Sequence, residues 1–219
     1  MLRALFEKKG NAVYISHLDL MRLFQRAFKR AGLLLTHTQG FNPRPSVSVA
    51  LPMSVGVESC CELLDFDLEG EIPSCEEIKA LLNNALVEGV RVLSVYECGS
   101  KIRDIALLDC SVYLEYDRKA PSDAVEQLKA VFSQPSIVME KRNRNGVSKQ
   151  DIIPLIKKLE IVAEDDHVIR MDATVCCQNP ALNPMQLVTA IEMCKPEWKP
   201  DFAYCCRHEI YNVDGSIFR

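Results

Sequence analysis

The alternation of hydrophobic and polar positions over the first hundred residues predicts six elements. Apolar residues recur every three to four positions in helices and every second position in strands. The predicted order is β-α-β-β-α-β, the order of a ferredoxin-like unit. The elements are a strand at 2–9, a helix at 16–32, strands at 46–52 and 61–70, a helix at 75–89 and a strand at 90–97.

The first helix carries clear signals at both ends. Ser16 is a good N-cap and Gly32 is suited to the position just after the last turn. The apolar spacing predicts that the inward face holds Leu18, Met21, either Phe24 or Gln25, and Phe28.

The second half of the chain repeats the order. The predicted elements are a strand at 106–117, a helix at 121–133, strands at 136–142 and 167–177, a helix at 183–194 and a strand at 204–213. Residues 144–166 are predicted as an insertion whose centre forms a short helical turn interrupted by Pro154. The pattern therefore predicts an α+β protein of two tandem ferredoxin-like units, at 1–100 and 101–219, the second with a basic insertion at 141–160.

Composition agrees with a globular chain of this size. The sequence has 219 residues, of which 48% are hydrophobic and 26% charged. No apolar run approaches the roughly 20 residues of a membrane helix, and the charged N-terminus is unlike a secretory signal. We expect a soluble cytoplasmic protein with no membrane association.

Ten cysteines are present, and six of them form adjacent pairs, at 60–61, 176–177 and 205–206. Neighbours on a strand point to opposite faces, so the two thiols of a pair do not readily share a ligand. No CxxC spacing is found. We expect reduced thiols that pack as small hydrophobes, with no metal and no cofactor; pairs from different strands that meet around a metal are the alternative.

The net charge of −4 conceals two basic islands. Residues 139–158 hold six basic side chains against Glu140 and Asp151, a net of +4. Residues 1–45 hold eight against Glu7 and Asp19, a net of +6, from Arg3, Lys8, Lys9, Arg22, Arg26, Lys29, Arg30 and Arg44. Two islands on an acidic body indicate a directed anionic partner.

The loop GFNPRP, at residues 40–45, is the strongest candidate for binding that partner. Gly40 permits a positive φ and close backbone approach, and two prolines restrict the backbone around Arg44. A restricted arginine loses less entropy when it binds phosphate. The alternative is a rigid turn in which Arg44 pairs with a carboxylate.

Other candidates extend this site. Arg22, Arg26 and Arg30 stand four residues apart and form a stripe on the first helix. Asn42 supplies an amide, and Phe41 is the best candidate for base stacking. In the second island, a basic loop is a candidate for contacts to phosphates, through Lys141, Arg142, Arg144 and Lys149. The alternative is a solvated loop with no partner.

Two histidines are candidates for catalysis. His17 lies at the start of the first helix, where the helix dipole favours the neutral imidazole. A neutral His17 is a candidate general base, with His37, one helix away in sequence, as the candidate acid. No nucleophile motif accompanies them, and the alternative is that His17 packs the helix start.

The segments YISHLDLMRLFQRAFKRAGL and TQGFNPRPSVSVALPMSVGVES resemble a bacterial radical SAM-linked protein family, a domain of unknown function. The resemblance spans nearly the whole chain and reappears at DIIPLI. It implies a radical SAM protein as partner, and since this chain lacks CxxxCxxC, it would be the companion of that enzyme. The family pattern falls on His17, Asp19, Arg26, Gly40, Asn42, Pro43, Arg44 and Glu58.

Three functions remain open from the sequence. The first is a non-catalytic RNA-binding companion of a radical SAM enzyme in RNA modification. The second is a metal-independent endoribonuclease that uses His17 and His37, because the predicted architecture resembles that of the CRISPR repeat-processing endoribonucleases, a likeness of fold alone. The third is a docking module for an acidic protein or a phosphorylated ligand.

Overall fold

A computed structural model describes residues 1–143 and 146–219, with the backbone alone at 141–143. The chain divides into two compact units, residues 1–102 with Arg219, and residues 103–218. In the described part of the chain, the strand pairs within the units are antiparallel and four α-helices accompany them, so the predicted α+β class is confirmed. No helix in the described ranges is long and apolar enough to cross a membrane.

Unit 1 holds four strands and two helices in the order β-α-β-β-α-β. The strands lie in the order β4-β1-β3-β2. The elements are β1 Leu2–Lys8, α1 His17–Arg30, β2 Val47–Val49, β3 Val57–Phe66, α2 Cys75–Ala85 and β4 Val90–Glu97.

Helix α1 begins and ends as its sequence predicts. The Ser16 hydroxyl accepts a hydrogen bond from the Asp19 N–H, which satisfies one of the free donors of the first turn. Gly32 follows the helix with φ of +72°, a conformation that other residues adopt at a cost.

The buried face of α1 differs in part from the prediction. Phe24 and Phe28 are buried as expected, and Phe24 packs edge-on against Phe6 with ring centroids 4.8 Å apart. Leu18, however, is 67% exposed, and the buried leucine of the first turns is Leu20. The error arises because both leucines fit an apolar stripe, and only the direction of the helix across the sheet selects between them.

Unit 2 has the main strand order β10-β5-β9-β8 and a separate β6–β7 hairpin. Helix α3 packs against β8 and helix α4 against β10. The elements are β5 Ile105–Glu115, α3 Ala124–Phe132, β6 Val138–Asn143, β7 Gly146–Asp151, β8 Ile156–Ala163, β9 Val168–Cys176, α4 Met185–Cys194 and β10 Phe202–Asn212.

The predicted insertion at 144–166 is wrong in its architecture. The strand predicted at 136–142 does not join the main sheet; it pairs with β7, from the expected loop, in a hairpin. The strand next to β9 is β8, which lies inside the expected insertion. Hairpin strands and sheet strands share the same alternation, so periodicity alone does not assign their partners. The turn at Pro154 is present as a 3-10 turn, Ile153–Leu155.

The first basic island is smaller than its sequence indicates, because two of its cations are buried. The Arg3 side chain is fully buried, and its Nε and Nη2 donate to the two oxygens of Asp65 at 2.5 and 2.9 Å. Lys8 is 1% exposed and its Nζ donates to the Ile15 carbonyl at 3.0 Å. These cations hold the unit together and are withdrawn from any anionic partner.

We expect Asp65→Asn to destabilise the protein by about 3–5 kcal/mol, because it leaves the Arg3 charge buried without its counter-ion. Urea unfolding measures the change. Lys79→Ala is the control: it breaks the exposed pair between Lys79 and Glu76 and is expected to cost under about 1 kcal/mol. Equal losses for the two variants would contradict the assignment.

Gly89→Ala should also destabilise unit 1, by roughly 1–3 kcal/mol. Gly89 has φ of +84°, and a Cβ there would lie 2.5 Å from the Lys9 carbonyl oxygen. Gly99→Ala is the matched control, since its backbone is unstrained and a Cβ meets nothing within 4 Å. Thermal unfolding of both variants checks this; an unchanged midpoint for Gly89→Ala would refute it.

Candidate nucleic-acid interface

Hydrogen bonds between residues 36–38 and residues 44–46 close the base of the GFNPRP loop. The Ser46 N–H donates to the Thr36 carbonyl at 2.7 Å, and His37 bridges to Pro45. Thr38 and Arg44 exchange two bonds: the Thr38 N–H donates to the Arg44 carbonyl at 2.8 Å, and the Arg44 N–H donates to the Thr38 hydroxyl at 3.1 Å. The base therefore fixes where the loop begins and ends.

The tip of the loop is fully open to solvent. Phe41 is 108% exposed, more than in an extended reference peptide, and Asn42 and Pro43 are exposed beside it. Gly40 has φ of +135°, which favours glycine at this position. An exposed phenylalanine at a turn contributes nothing to the core, so its ring is available to a partner.

Arg44 is exposed and forms no ion pair with the described residues. Its backbone is held by the bonds to Thr38 on one side and by the proline rings on the other. In the described structure, therefore, no carboxylate neutralises Arg44, in contrast to the alternative that the sequence left open. The guanidinium is left to solvent at a fixed backbone position.

The three arginines of α1 are all exposed but are not equivalent. Arg22 pairs with Asp19 at 3.0 Å, and Arg30 donates to the Ala85 carbonyl at the end of α2. The Ser16 hydroxyl and Arg22 hold the pKa of Asp19 below its usual value, so this carboxylate stays charged. Arg26 makes no hydrogen bond or ion pair within the described chain, so it is the cation of the stripe with its donors available.

Packing relates this helix to the loop. Phe28, near the end of α1, packs on Phe66 with ring centroids 4.9 Å apart. Phe66 is paired in the sheet with Val47, the first residue of β2, which lies two positions after the loop. The last turns of α1 therefore lie over the end of the sheet from which the loop emerges.

The second island belongs to unit 2. Lys141 and Arg142 lie on β6, opposite Ser148 and Val147. Lys149 is exposed on β7, opposite Glu140 across the hairpin. Arg144 lies outside the described residues. A joint surface of the two islands stays a prediction.

The two candidate catalytic histidines are not joined by a hydrogen bond in the described chain. His17 is half-buried, and its Nδ1 is buried with no hydrogen-bond partner. His37 is exposed, at the base of the loop. No hydrogen bond within the described chain orients either imidazole, and the catalytic role of the two histidines stays a prediction.

Glu58 has a structural place. Its Oε1 accepts a hydrogen bond from the Gly10 N–H at 3.2 Å, at the start of the 3-10 turn Gly10–Tyr14 that leads into α1. The turn sits between β1 and the N-cap of α1. Glu58 thus helps to set where α1 begins.

Sequence reasoning missed a polar cluster on the main sheet of unit 2. The hydroxyl of Ser111 donates to Asp172 Oδ1 at 2.5 Å and lies 2.7 Å from His208 Nε2. Because the single hydroxyl proton goes to the carboxylate, Nε2 of His208 carries a proton and donates to Ser111. His208 sits at an irregularity in the pairing of β10 with β5, which redirects its side chain. Alternating polar residues in DCSVY and RMDAT were the available signal.

Charged side chains on the same surface form hydrogen bonds with one another. Asp172 Oδ2 accepts from Arg170 Nε at 2.9 Å, and Arg170 also donates to Glu164. The bond to Asp172 raises the pKa of Arg170 above its ordinary value, so the guanidinium stays charged. Asp109 accepts from the hydroxyls of Thr174 and Tyr211, the latter at 3.1 Å.

The cysteines are all free thiols within the described chain. The pair at 205–206 divides between the two faces of its strand: Cys205 is buried and Cys206 half-exposed. Among residues 1–143 and 146–219, no group of three or more metal-ligating side chains is arranged to hold an ion.

Solved structures resemble this chain at low sequence identity. A chain in the crystal structure of a Cbf5-Nop10-Gar1 complex matches 94% of this chain at 9% identity with a TM-score of 0.50, and this chain spans 48% of its length. An unknown protein from Galdieria sulphuraria matches 97% of this chain, and 96% of its own length, at 13% identity with a TM-score of 0.26. The first likeness shows a shared fold and no activity. No curated protein matches.

The family is shown by sequence. A family of uncharacterized proteins conserved in bacteria, DUF2344, matches residues 1–184. That range contains unit 1, the exposed loop and most of unit 2. The chain belongs to this bacterial family, DUF2344.

Proposed function

We propose that this protein is a non-catalytic RNA-binding companion of a radical SAM enzyme, and that it grips RNA with the exposed loop of unit 1. One observation carries the proposal: the fully exposed Phe41 lies three residues before Arg44, which is exposed and forms no ion pair with the described residues. The radical SAM partner rests on the family resemblance alone, and RNA modification is the role it implies.

The loop has the two groups that single-stranded RNA requires. Bases stack on exposed aromatic rings, and arginine binds phosphate through parallel N–H donors. Phe41 supplies the first and Arg44 the second, and the exposed Asn42 adds an amide between them. Because the base of the loop is fixed by bonds between Thr38 and Arg44, less entropy is lost on binding.

Arg26 extends the grip along the phosphate backbone. It lies two residues before Phe28, whose ring packs over the end of the sheet that carries the loop. Arg22 and Arg30 contribute less, because the first is neutralised by Asp19 and the second is bonded to the Ala85 carbonyl. In unit 2, Lys149 with Lys141, Arg142 and Arg144 forms the second contact of the proposal.

We further propose that both units are ferredoxin-like. Each has a β-α-β-β-α-β order once the β6–β7 hairpin is set aside as an insertion. In each, the first strand lies between the third and the fourth, and the second strand is at the edge. Such units commonly leave one face of the sheet open for a ligand, as RNA-recognition sheets do.

The double variant Arg26→Ala/Arg44→Ala is expected to weaken binding of single-stranded RNA by roughly tenfold or more, since charge-assisted bonds are the strong ones. The slope of log K against log salt should become shallower by about 1.4, at about 0.7 per phosphate contact on a single strand. Fluorescence anisotropy at several salt concentrations measures both quantities.

Two variants complete this test. Phe41→Ala should weaken binding and leave the salt slope unchanged, because stacking releases no counter-ions. Arg91→Ala, an exposed arginine on β4, is the matched control and should bind as the wild type does. Wild-type protein without affinity for RNA at low salt, or an equal loss in Arg91→Ala, would overturn the proposal.

RNA incubated with the protein, with or without a chelator, should remain intact on a denaturing gel. His17 and His37 share no hydrogen bond in the described structure, and the buried Nδ1 of His17 has no hydrogen-bond partner. Cleavage that is lost in His17→Ala would instead establish the endoribonuclease.

A further inference from the structure

We propose that a second site, on the polar face of the unit 2 sheet, binds a nucleotide. The site is an open cavity of about 390 Å³, within the range of roughly 300–1,000 Å³ typical of ligand pockets. It lies wholly within unit 2 and does not depend on the loop of unit 1. Its lining includes Asp109, Ser111, Tyr113, Lys158, Arg170 and Asp172.

The floor of the cavity offers oriented acceptors. Asp109 is held by the hydroxyls of Thr174 and Tyr211, and Asp172 by Ser111 and Arg170. Each carboxylate oxygen has two lone pairs and uses one of them in these bonds, so acceptor positions remain. Hydroxyl pairs such as those of ribose are suitable donors for two carboxylates fixed in this way.

The rim offers cations. Lys158 is exposed and forms no ion pair or hydrogen bond with the described residues, although two carboxylates line the same cavity. Arg170 uses Nε and Nη1 on Asp172 and Glu164, which leaves part of its five-donor guanidinium available. An ammonium and a guanidinium beside each other are suited to a phosphate.

The ring of Tyr113 also lines the cavity. Outside the lining, it is stacked on Tyr204 of the neighbouring strand, with ring centroids 4.7 Å apart and planes 9° from parallel. Phe202 continues the row at 6.1 Å from Tyr204 and is 58% exposed. A nucleobase can extend such a row by stacking.

The charged side chains of the lining favour a ligand that has both hydrogen-bond donors and an anionic group. Two carboxylates and two cations line the cavity, so an isolated phosphate would meet repulsion as well as attraction. A ligand with a stacking ring, hydroxyl donors and a phosphate matches the aromatic ring, the carboxylates and the cations of the lining. That chemistry is a nucleotide, either free or as one residue of a single strand.

Titration calorimetry with AMP, GMP, CMP and UMP, and anisotropy with short oligo(A) and oligo(U), test the site and separate the two sources. Saturable binding of a mononucleotide identifies a free ligand; binding of oligonucleotides alone identifies a residue of RNA. In either case Lys158→Ala and Asp172→Asn should each weaken binding by about tenfold. Lys158→Ala and Asp172→Asn leave the loop of unit 1 unchanged, so a loss of binding in these variants is assigned to this site and not to the loop.

Lys157→Ala is the matched control. Lys157 precedes Lys158 on β8, donates to the Pro154 carbonyl and lies outside the cavity lining, so binding should stay at the wild-type level. Thermal melts establish that each variant is folded; if Asp172→Asn unfolds, Lys158→Ala carries the test. Binding of ribose 5-phosphate as tight as that of nucleotides, equal binding by Lys158→Ala and wild type, or no binding of any probe would overturn the proposal.

Discussion

Phe66 is the residue on which the architecture of unit 1 depends. It is 1% exposed, ends β3, and is paired with both Leu2 of β1 and Val47 of β2. Its ring packs on Phe28 of α1. One buried aromatic thus joins three strands and a helix, and the exposed loop enters β2 at this junction. Burial of two such rings supplies the stability that lets the adjacent loop project polar and aromatic groups into solvent.

Among the five arginines of residues 1–45, some are bonded to other groups of the protein and others remain available to a partner. Arg3 is enclosed with Asp65, Arg22 pairs with Asp19, and Arg30 is bonded to a helix end. Arg26 and Arg44 have no such partner in the described chain. Net charge counts all five equally, so the charge of a segment overstates what it presents to a partner. The binding proposal rests on the two that remain.

Local signals in the sequence predicted the elements well. The Ser16 cap, the Gly32 stop and the exposed, rigid Arg44 follow from short-range chemistry that the printed residues carry themselves. The long-range pairing of strands was harder to predict. The partners of 138–151 and 156–163 depend on which strand satisfies the edge of β9, and alternation contains no such information. The burial of Arg3 was hidden for the same reason, because Asp65 is 62 residues away.

The unit 2 cluster was missed because each of its members is unremarkable alone. Ser111, Asp172 and His208 lie on three strands, and a bulge in β10 brings the histidine to the serine. RNA binding by the loop of unit 1 can be tested by ultraviolet cross-linking of bound single-stranded RNA, followed by mass spectrometry of the peptides. Binding through the loop predicts a cross-link at Phe41; cross-links confined to peptides outside residues 36–46 would contradict it.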